Sequence, residues 1–298
     1  MSKIFLIIAL ICAGMPLQSR NSVSSQSVAT LNSSYTPPVP ATTPTPETKI
    51  KVSSNGKAAF KGVSFSYNQK VFGAVKAEKI AEYLWENEDM KPDSVEPEHR
   101  NFSFELPKSE FGKMYLAVYP LADFPRMYAV SKTYEEDMKE EIADLKKVLA
   151  DKDFRVEGEI PFLRYYDASQ SFQAKVKHFS FPDGEGILFL THWSTESALI
   201  SNRQMRYVFE GITTDKKYYV VAEMPVRTSF LPDESPDEFE GYKTEYLSTD
   251  CPDPDNIKPR YKNYISNIVK RMENLPDEKY RPGLKYFEEI ISSLKIEQ

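Results

Sequence analysis

Apolar and polar side chains alternate along much of this chain, and the alternation locates its strands. Val63, Phe65 and Tyr67 alternate with Ser64 and Ser66, predicting a half-buried strand over residues 60–67. Residues 71–80 read as a second strand running on toward a short helix through Trp85, and the charged, proline-bearing stretch 87–98 reads as a loop. Phe102, Phe104 and Leu106 mark another strand. Residues 113–119 (KMYLAVY) are apolar almost without a break, which predicts a central strand covered on both faces.

The period then changes. Tyr134, Met138, Ile142, Leu145 and Leu149 fall at helical spacing between residues 131 and 150, with Glu, Asp and Lys on the other face and Ser131 placed as N-cap. Two long strands follow, 172–181 and 185–193, joined by a tight turn at Pro182-Asp183-Gly184. Strands over 204–212 and 217–224, joined by a turn at 213–216, complete an antiparallel meander. Residues 237–247 predict a helix. Tyr261, Ile265, Ile268 and Met272 predict another, and Leu284, Phe287, Ile291 and Leu294 a last one, closed by a short strand at Lys295-Ile296. The fold class is therefore α+β: an antiparallel sheet with helices packed on it, in a single domain over residues 57–298.

The N-terminus has a different composition. Lys3 precedes an apolar run from Ile4 to Ile11, and Pro16 and Arg20 end the greasy segment, as in a secretory signal over residues 1–25. The run falls short of the about 20 apolar residues of a membrane-spanning helix, and no later stretch replaces it. Residues 26–56 are rich in Ser, Thr and Pro and read as a disordered linker. The expected location is extracytoplasmic: periplasmic, cell-surface or secreted. Two processing routes stay open. Cys12 sits where a lipoprotein cysteine sits, although Ile11 before it is large; ordinary cleavage is the other route, with Val23-Ser24-Ser25 one acceptable small-residue site and Cys12-Ala13-Gly14 another.

Composition narrows the function classes. The chain is 41% hydrophobic and 13% aromatic, ample for a core, and its net charge of −6 argues against nucleic acid and anionic membrane surfaces as partners. Cys12 and Cys251 are the two cysteines; loss or acylation of the first leaves the second without an intramolecular partner and excludes four-cysteine metal sites.

Certain landmarks carry a resemblance. Tyr119-Pro120-x-x-Asp123-Phe124, Leu190-Thr191-His192-Trp193, the run Tyr207–Thr213 into Asp215, Tyr218-Tyr219-Val220, Pro225-Val226 and the closing residues Ile291–Ile296 are similar to a group of exported bacterial proteins with no assigned activity. More loosely, the order of elements resembles the PsbP-like α/β/α sandwich. That likeness implies a protein that binds or helps to assemble other proteins, at the level of fold alone.

Candidate chemistry is sparse. His178 and His192 flank one hairpin, but the strand register puts their side chains on opposite faces, which argues against a metal pair. No nucleophile elbow, phosphate-cradling glycine loop or dinucleotide fingerprint occurs, so no catalytic residue and no cofactor is assigned. Asp253-Pro254-Asp255-Asn256 lacks the glycine and distal glutamate of a calcium loop. The aromatics are the remaining candidates. Trp193, Tyr219, Tyr165 and Tyr166 form a ligand or partner surface if one sheet face is open, and a two-sided core if it is not. The sequence thus favours a non-catalytic binding or assembly module of the cell envelope whose partner is another protein or an envelope polymer. The alternative is an extracytoplasmic hydrolase acting on envelope polymers or exported substrates.

Overall fold

The structure, a computed structural model, describes residues 56–85, 95–106, 112–152, 158–164, 168–195, 198–244 and 257–297, all within one compact unit. The expected signal (1–25) and the expected linker up to residue 55, with Cys12, Tyr165, Tyr166 and Cys251, lie outside the described residues.

A large antiparallel sheet dominates an α+β fold. Its strands are β3 (Val75–Ile80), β4 (His99–Phe104), β5 (Met114–Pro120), β6 (Ser169–Gln170), β7 (Ala174–Phe181), β8 (Gly184–Ser194), β9 (Met205–Thr213) and β10 (Tyr218–Pro225). They lie in the order β3-β4-β5-β10-β9-β8-β6, with β7 also paired to β8. The expected meander is β7 to β10, and β10 then pairs with β5, registering Tyr219 on Tyr119 and Glu223 on Tyr115. β5, β9 and β10 thereby sit in the middle of the sheet. Their near-continuous apolar runs follow from burial on both faces.

One face carries the larger core. Helices α4 (Ile257–Asn274) and α5 (Leu284–Ser292) pack there with a small sheet of β1 (Lys57–Phe60), β2 (Val63–Ser66) and β13 (Lys295–Ile296). Ile268, Met272, Phe287 and Ile291 meet Leu188, Leu190, Tyr207 and Phe209 in this layer. Helix α3 (Lys132–Ala150), the short helix α2 (Phe124–Met127) before it and the segment around Ile160 and Leu163 cover the opposite face, against Ala117, Ile187, Val208 and Val221. Ser131 precedes α3 in an extended conformation but makes no side-chain cap bond. No helix among the described residues is long and apolar enough to cross a membrane.

Three expectations change. The stretch 60–67 is a hairpin rather than one strand: Lys61 (φ 45°) and Gly62 (φ 77°) make a two-residue turn between Phe60 and Val63. Positive φ at both central residues matches the twist of the flanking strands. Val63, Phe65 and Tyr67 still point inward, as the alternation predicts. The strand expected from residue 71 begins only at Val75, because Asn68 caps a helical turn, α1 (Gln69–Phe72), through a bond from the Lys70 amide, and no helix follows through Trp85, where Tyr83 instead bridges to Glu96. The helix expected over 237–247 gives way, within its described part, to a second small hairpin of β11 (Glu238–Phe239) and β12 (Tyr242–Lys243). Glu240 and Gly241 there also take positive φ, which ends any helix.

Packing at the β8–β9 pair depends on absent side chains. Gly186 and Gly211 are registered partners, and the Phe209 ring occupies the space their side chains would fill. A methyl at Gly186 would meet both that ring and the Glu210 carbonyl. Gly186→Ala is therefore expected to destabilise the fold by about 1–3 kcal/mol, the usual cost of overpacking a core. Urea unfolding at neutral pH measures it, and an unchanged midpoint would refute this packing account.

Candidate functional site

Two glutamates interrupt otherwise apolar central strands. Glu210 on β9 and Glu223 on β10 are both buried, on the sheet face covered by α3. The neighbouring strands β5 and β4 place Tyr115, Tyr119 and His99 on the same face. Arg164 reaches in from the covering segment, and Glu96 comes from the residues preceding β4.

The contacts form a chain. Tyr115 donates its hydroxyl to Glu223, and the Arg164 guanidinium donates to that hydroxyl in turn. Arg164 Nη1 lies 3.7 Å from Glu223 Oε1. Its Nε and Nη2 both donate to Glu96 Oε1, at 2.9 and 2.7 Å. His99 Nε2 stands 3.7 Å from the other Glu96 oxygen. His99 Nδ1 lies 2.8 Å from the Pro97 carbonyl, which only accepts, so the ring proton belongs on Nδ1. The His99 ring also stacks on Tyr119 at 4.2 Å. A few residues along the sheet, Tyr219 donates to Glu210 Oε2 at 3.0 Å, while Glu210 Oε1 has no partner among the described residues.

Burial sets the charge states. It pushes Glu223 up to about 8, with the Glu96 charge adding to the effect. Glu210 is held well above the usual carboxylate range by burial. Glu96 goes the other way: burial raises it, but the Arg164 guanidinium, His99 and the Tyr119 hydroxyl outweigh that and hold it below the usual range. Burial also keeps His99 below its ordinary value. Near neutral pH the cluster thus holds a protonated Glu223 beside an ionised Glu96, joined through one arginine. Two carboxyls with proton affinities pushed apart are the raw material of acid–base chemistry.

A second locus lies at the C-terminal end of β8, where β6 pairs with it. An open groove of about 370 Å³ is lined by residues that include Gly158, Gln170, Ser171 and Ile265. Behind it, Ser171 Oγ lies 3.2 Å from Nδ1 of the buried His192. Burial and then the nearby Arg206 charge depress His192 to about 4, so it is neutral and has little drive to take a serine proton at physiological pH. His178 pairs with Ile187 on β8, and residues 187 and 192 face opposite sides, so the two histidines do not converge even with the irregular register between Ala174 and Lys177.

The aromatic candidates separate. Tyr219 is wholly buried and bonded to Glu210, a correction to its place on a partner surface: both sheet faces are covered, so adjacent tyrosines both point into a core. Trp193 is half-buried and packs on Phe162 at 5.1 Å. Among the described residues, four of the five large exposed apolar side chains lie elsewhere, on two segments of the chain: Tyr83 (41%), Leu84 (38%), Val130 (44%) and Tyr134 (40%). They lie on the two chain segments that meet at a small core of Trp85, Val95, Met127 and Tyr128. Tyr134 sits edge-on to Trp85 at 4.9 Å and stacks with Tyr128, and the Trp85 amide bonds the Met127 carbonyl.

The sequence reading passed over Glu210, Glu223 and this patch. The signal for the glutamates was present: an acid at an inward position of an unbroken apolar strand. The patch had none, because residues 83–84 and 130–134 come together only in the fold. Set against family models, curated proteins and solved structures, the chain matches none of them.

Glu223 carries a pH prediction. Its folded pKa lies above its unfolded value, so the unfolded chain releases this proton first as pH rises. Stability is full in acid and is lost between the ordinary glutamate range and about 8, by up to about 1.4 kcal/mol per pH unit for each such group. Glu223→Gln keeps the hydrogen-bonding shape without the charge. It is expected to flatten that loss in urea unfolding measured at pH 5, 7 and 9. An identical pH slope in variant and parent would contradict the assignment. Arg164→Met leaves Glu96 without its cation and is expected to destabilise by about 1–3 kcal/mol at pH 7, read in the same assay.

Proposed function

We propose that this protein is a non-catalytic binding or assembly module of the cell envelope, acting on a protein partner. The exposed apolar side chains Tyr83, Leu84, Val130 and Tyr134, on two segments that meet where the Trp85 amide bonds Met127 and the Trp85 ring packs on Tyr134, carry this reading. Exposed apolar side chains on a folded domain are normally scattered, and a cluster of them marks an interaction surface. The enclosed state of the polar chemistry supports it. Glu210, Glu223, His99 and His192 are all buried and engaged with neighbouring side chains or backbone. The leader expected over residues 1–25 supports an extracytoplasmic location, lipid-anchored if Cys12 is acylated. Layers on both faces of an antiparallel sheet support the likeness to the PsbP-like sandwich at the level of architecture.

One observation favours the alternative, an extracytoplasmic hydrolase: Glu96 and Glu223 differ in proton affinity in the way an acid and a base must. Their use of Arg164 and Tyr115 as mutual partners weighs for a structural role.

A photo-crosslinking residue at position 134 or 84, compared with one at the exposed Tyr286 on α5, separates the readings. Discrete protein adducts from 134 and 84, and none from 286, are expected in an envelope fraction. Equal labelling from all three positions, or substrate turnover that vanishes in Glu223→Gln, would overturn the binding assignment.

A further inference from the structure

Residues 158–164 form neither helix nor strand, yet they set Ile160 and Leu163 into the core on the α3 face of the sheet. Side chains hold this strap down. The Gln170 side chain accepts from the Ile160 amide at 3.2 Å and donates to its carbonyl at 2.7 Å. Glu141 Oε1 on α3 accepts from the Phe162 amide at 3.0 Å, and Glu159 Oε2 accepts from the Gln170 amide at 3.3 Å. Arg164 fastens the far end to Glu96. β9 and β10, which share that core, are paired on both sides. A segment held by a few side-chain bonds opens ahead of strands fixed in a sheet.

Glu210 lies in the same layer. It is wholly buried; its Oε2 takes the Tyr219 hydroxyl, and its Oε1 has no partner among the described residues. A neutral carboxyl tolerates that place. A carboxylate there would have one oxygen bare of donors, a state relieved by admitting water. The registered partners of Glu210 are Ile187 on β8 and Val221 on β10, both apolar. Tyr219 packs near Tyr119 of β5 and keeps its proton, because burial and the Glu210 charge push its hydroxyl up. The charge that reaches Glu210 from α3 is Glu141, of the same sign and itself raised by burial and by Asp144, Glu159 and Asp137. Arg164, the cation of the strap, is engaged with Glu96 and Tyr115.

We propose that residues 158–164 are a pH-operated strap, which lies closed while Glu210 is protonated and lifts over Ile160 and Phe162, pivoting at Arg164, when Glu210 ionises. Lifting admits water to the bare oxygen and uncovers the apolar bed beneath Ile160 and Leu163. Burial holds the folded Glu210 carboxyl well above the usual range, so its proton favours the closed strap. Closure is therefore full in acid and weakens as pH rises. The pivot does not titrate over the same range: Glu96, held below the usual carboxylate range, stays ionised beside Arg164, and His99, below its ordinary value, stays neutral toward alkaline pH. This device is independent of the binding-module reading.

Amide hydrogen exchange of the full chain at pH 5 and pH 9, corrected for the intrinsic rate at each pH, tests it. The amides of Ile160 and Phe162 are expected to lose at least tenfold of their protection at pH 9, while Val208 and Val220–Ala222 in the paired strands keep theirs. Glu210→Gln retains an acceptor for Tyr219 but cannot ionise, and is expected to preserve the strap's protection at pH 9. Glu210→Leu, apolar like its surroundings, gives the same readout if the glutamine variant does not fold. Glu223→Gln is the contrast: Arg164 lies 3.7 Å from Glu223 and can meet its charge, so the loss of protection should persist in this variant. Unchanged protection at pH 9, a loss shared equally by strap and strands, or a loss that persists without the Glu210 carboxyl would overturn the strap. So would a loss abolished in Glu223→Gln, which would place the trigger at that residue.

Discussion

Burial of the central strands on both faces is the constraint on which the rest of this structure depends. β5, β9 and β10 have a helical layer on each side, so nearly every side chain they carry enters a core, Arg206 being an exception near the start of β9. Apolar residues satisfy that requirement without help, and the runs YVFEGI and YYVVAEM are apolar almost throughout. Glu210 and Glu223 do not. An ionised carboxylate without a partner in such a layer costs several kcal/mol. The two sites meet that cost differently. Glu210 stays neutral against Tyr219. Glu223 stays neutral against Tyr115 and within reach of Arg164.

Arg164 then serves a second purpose. It comes from the segment that covers the sheet, and its two contacts to Glu96 hold that segment against the residues leading into β4. Gln170 clamps the same segment from the other end, accepting from the Ile160 amide and donating to its carbonyl. The buried polar chain is thus also the fastening of the cover. A network with this many mutual partners specifies one arrangement of the layers, a use of buried polarity that hydrophobic packing alone does not provide.

A two-sided core leaves little apolar material for the surface, which gives the Tyr83–Tyr134 patch its significance. The first turn of α3 packs on Trp85 and Tyr128 instead of the sheet. The helical stripe continues through Tyr134, but the layer beneath it there is a small satellite core, and the ring is left partly in solvent. Polar groups inside and apolar rings at the surface follow from the same layering.

The sequence by itself determined the α+β class, the meander from β7 to β10, the helix over 132–150 and the closing strand at Lys295-Ile296. These features rest on local periodicity, and periodicity is set by which side of an element is wet. It also separated His178 from His192, since strand alternation fixes the facing of side chains. The tertiary structure alone decided the hairpins at Lys61-Gly62 and Glu240-Gly241, where backbone conformation is chosen by strand pairing more than by residue type. It decided that Tyr219 is interior, because whether one or both faces of a sheet are covered depends on elements far away in the chain. It also brought Glu96, Arg164 and Glu223, separated by many residues, into one hydrogen-bonded chain, and assembled the apolar patch from two distant segments. Partners that meet only through long-range packing leave no local pattern to read.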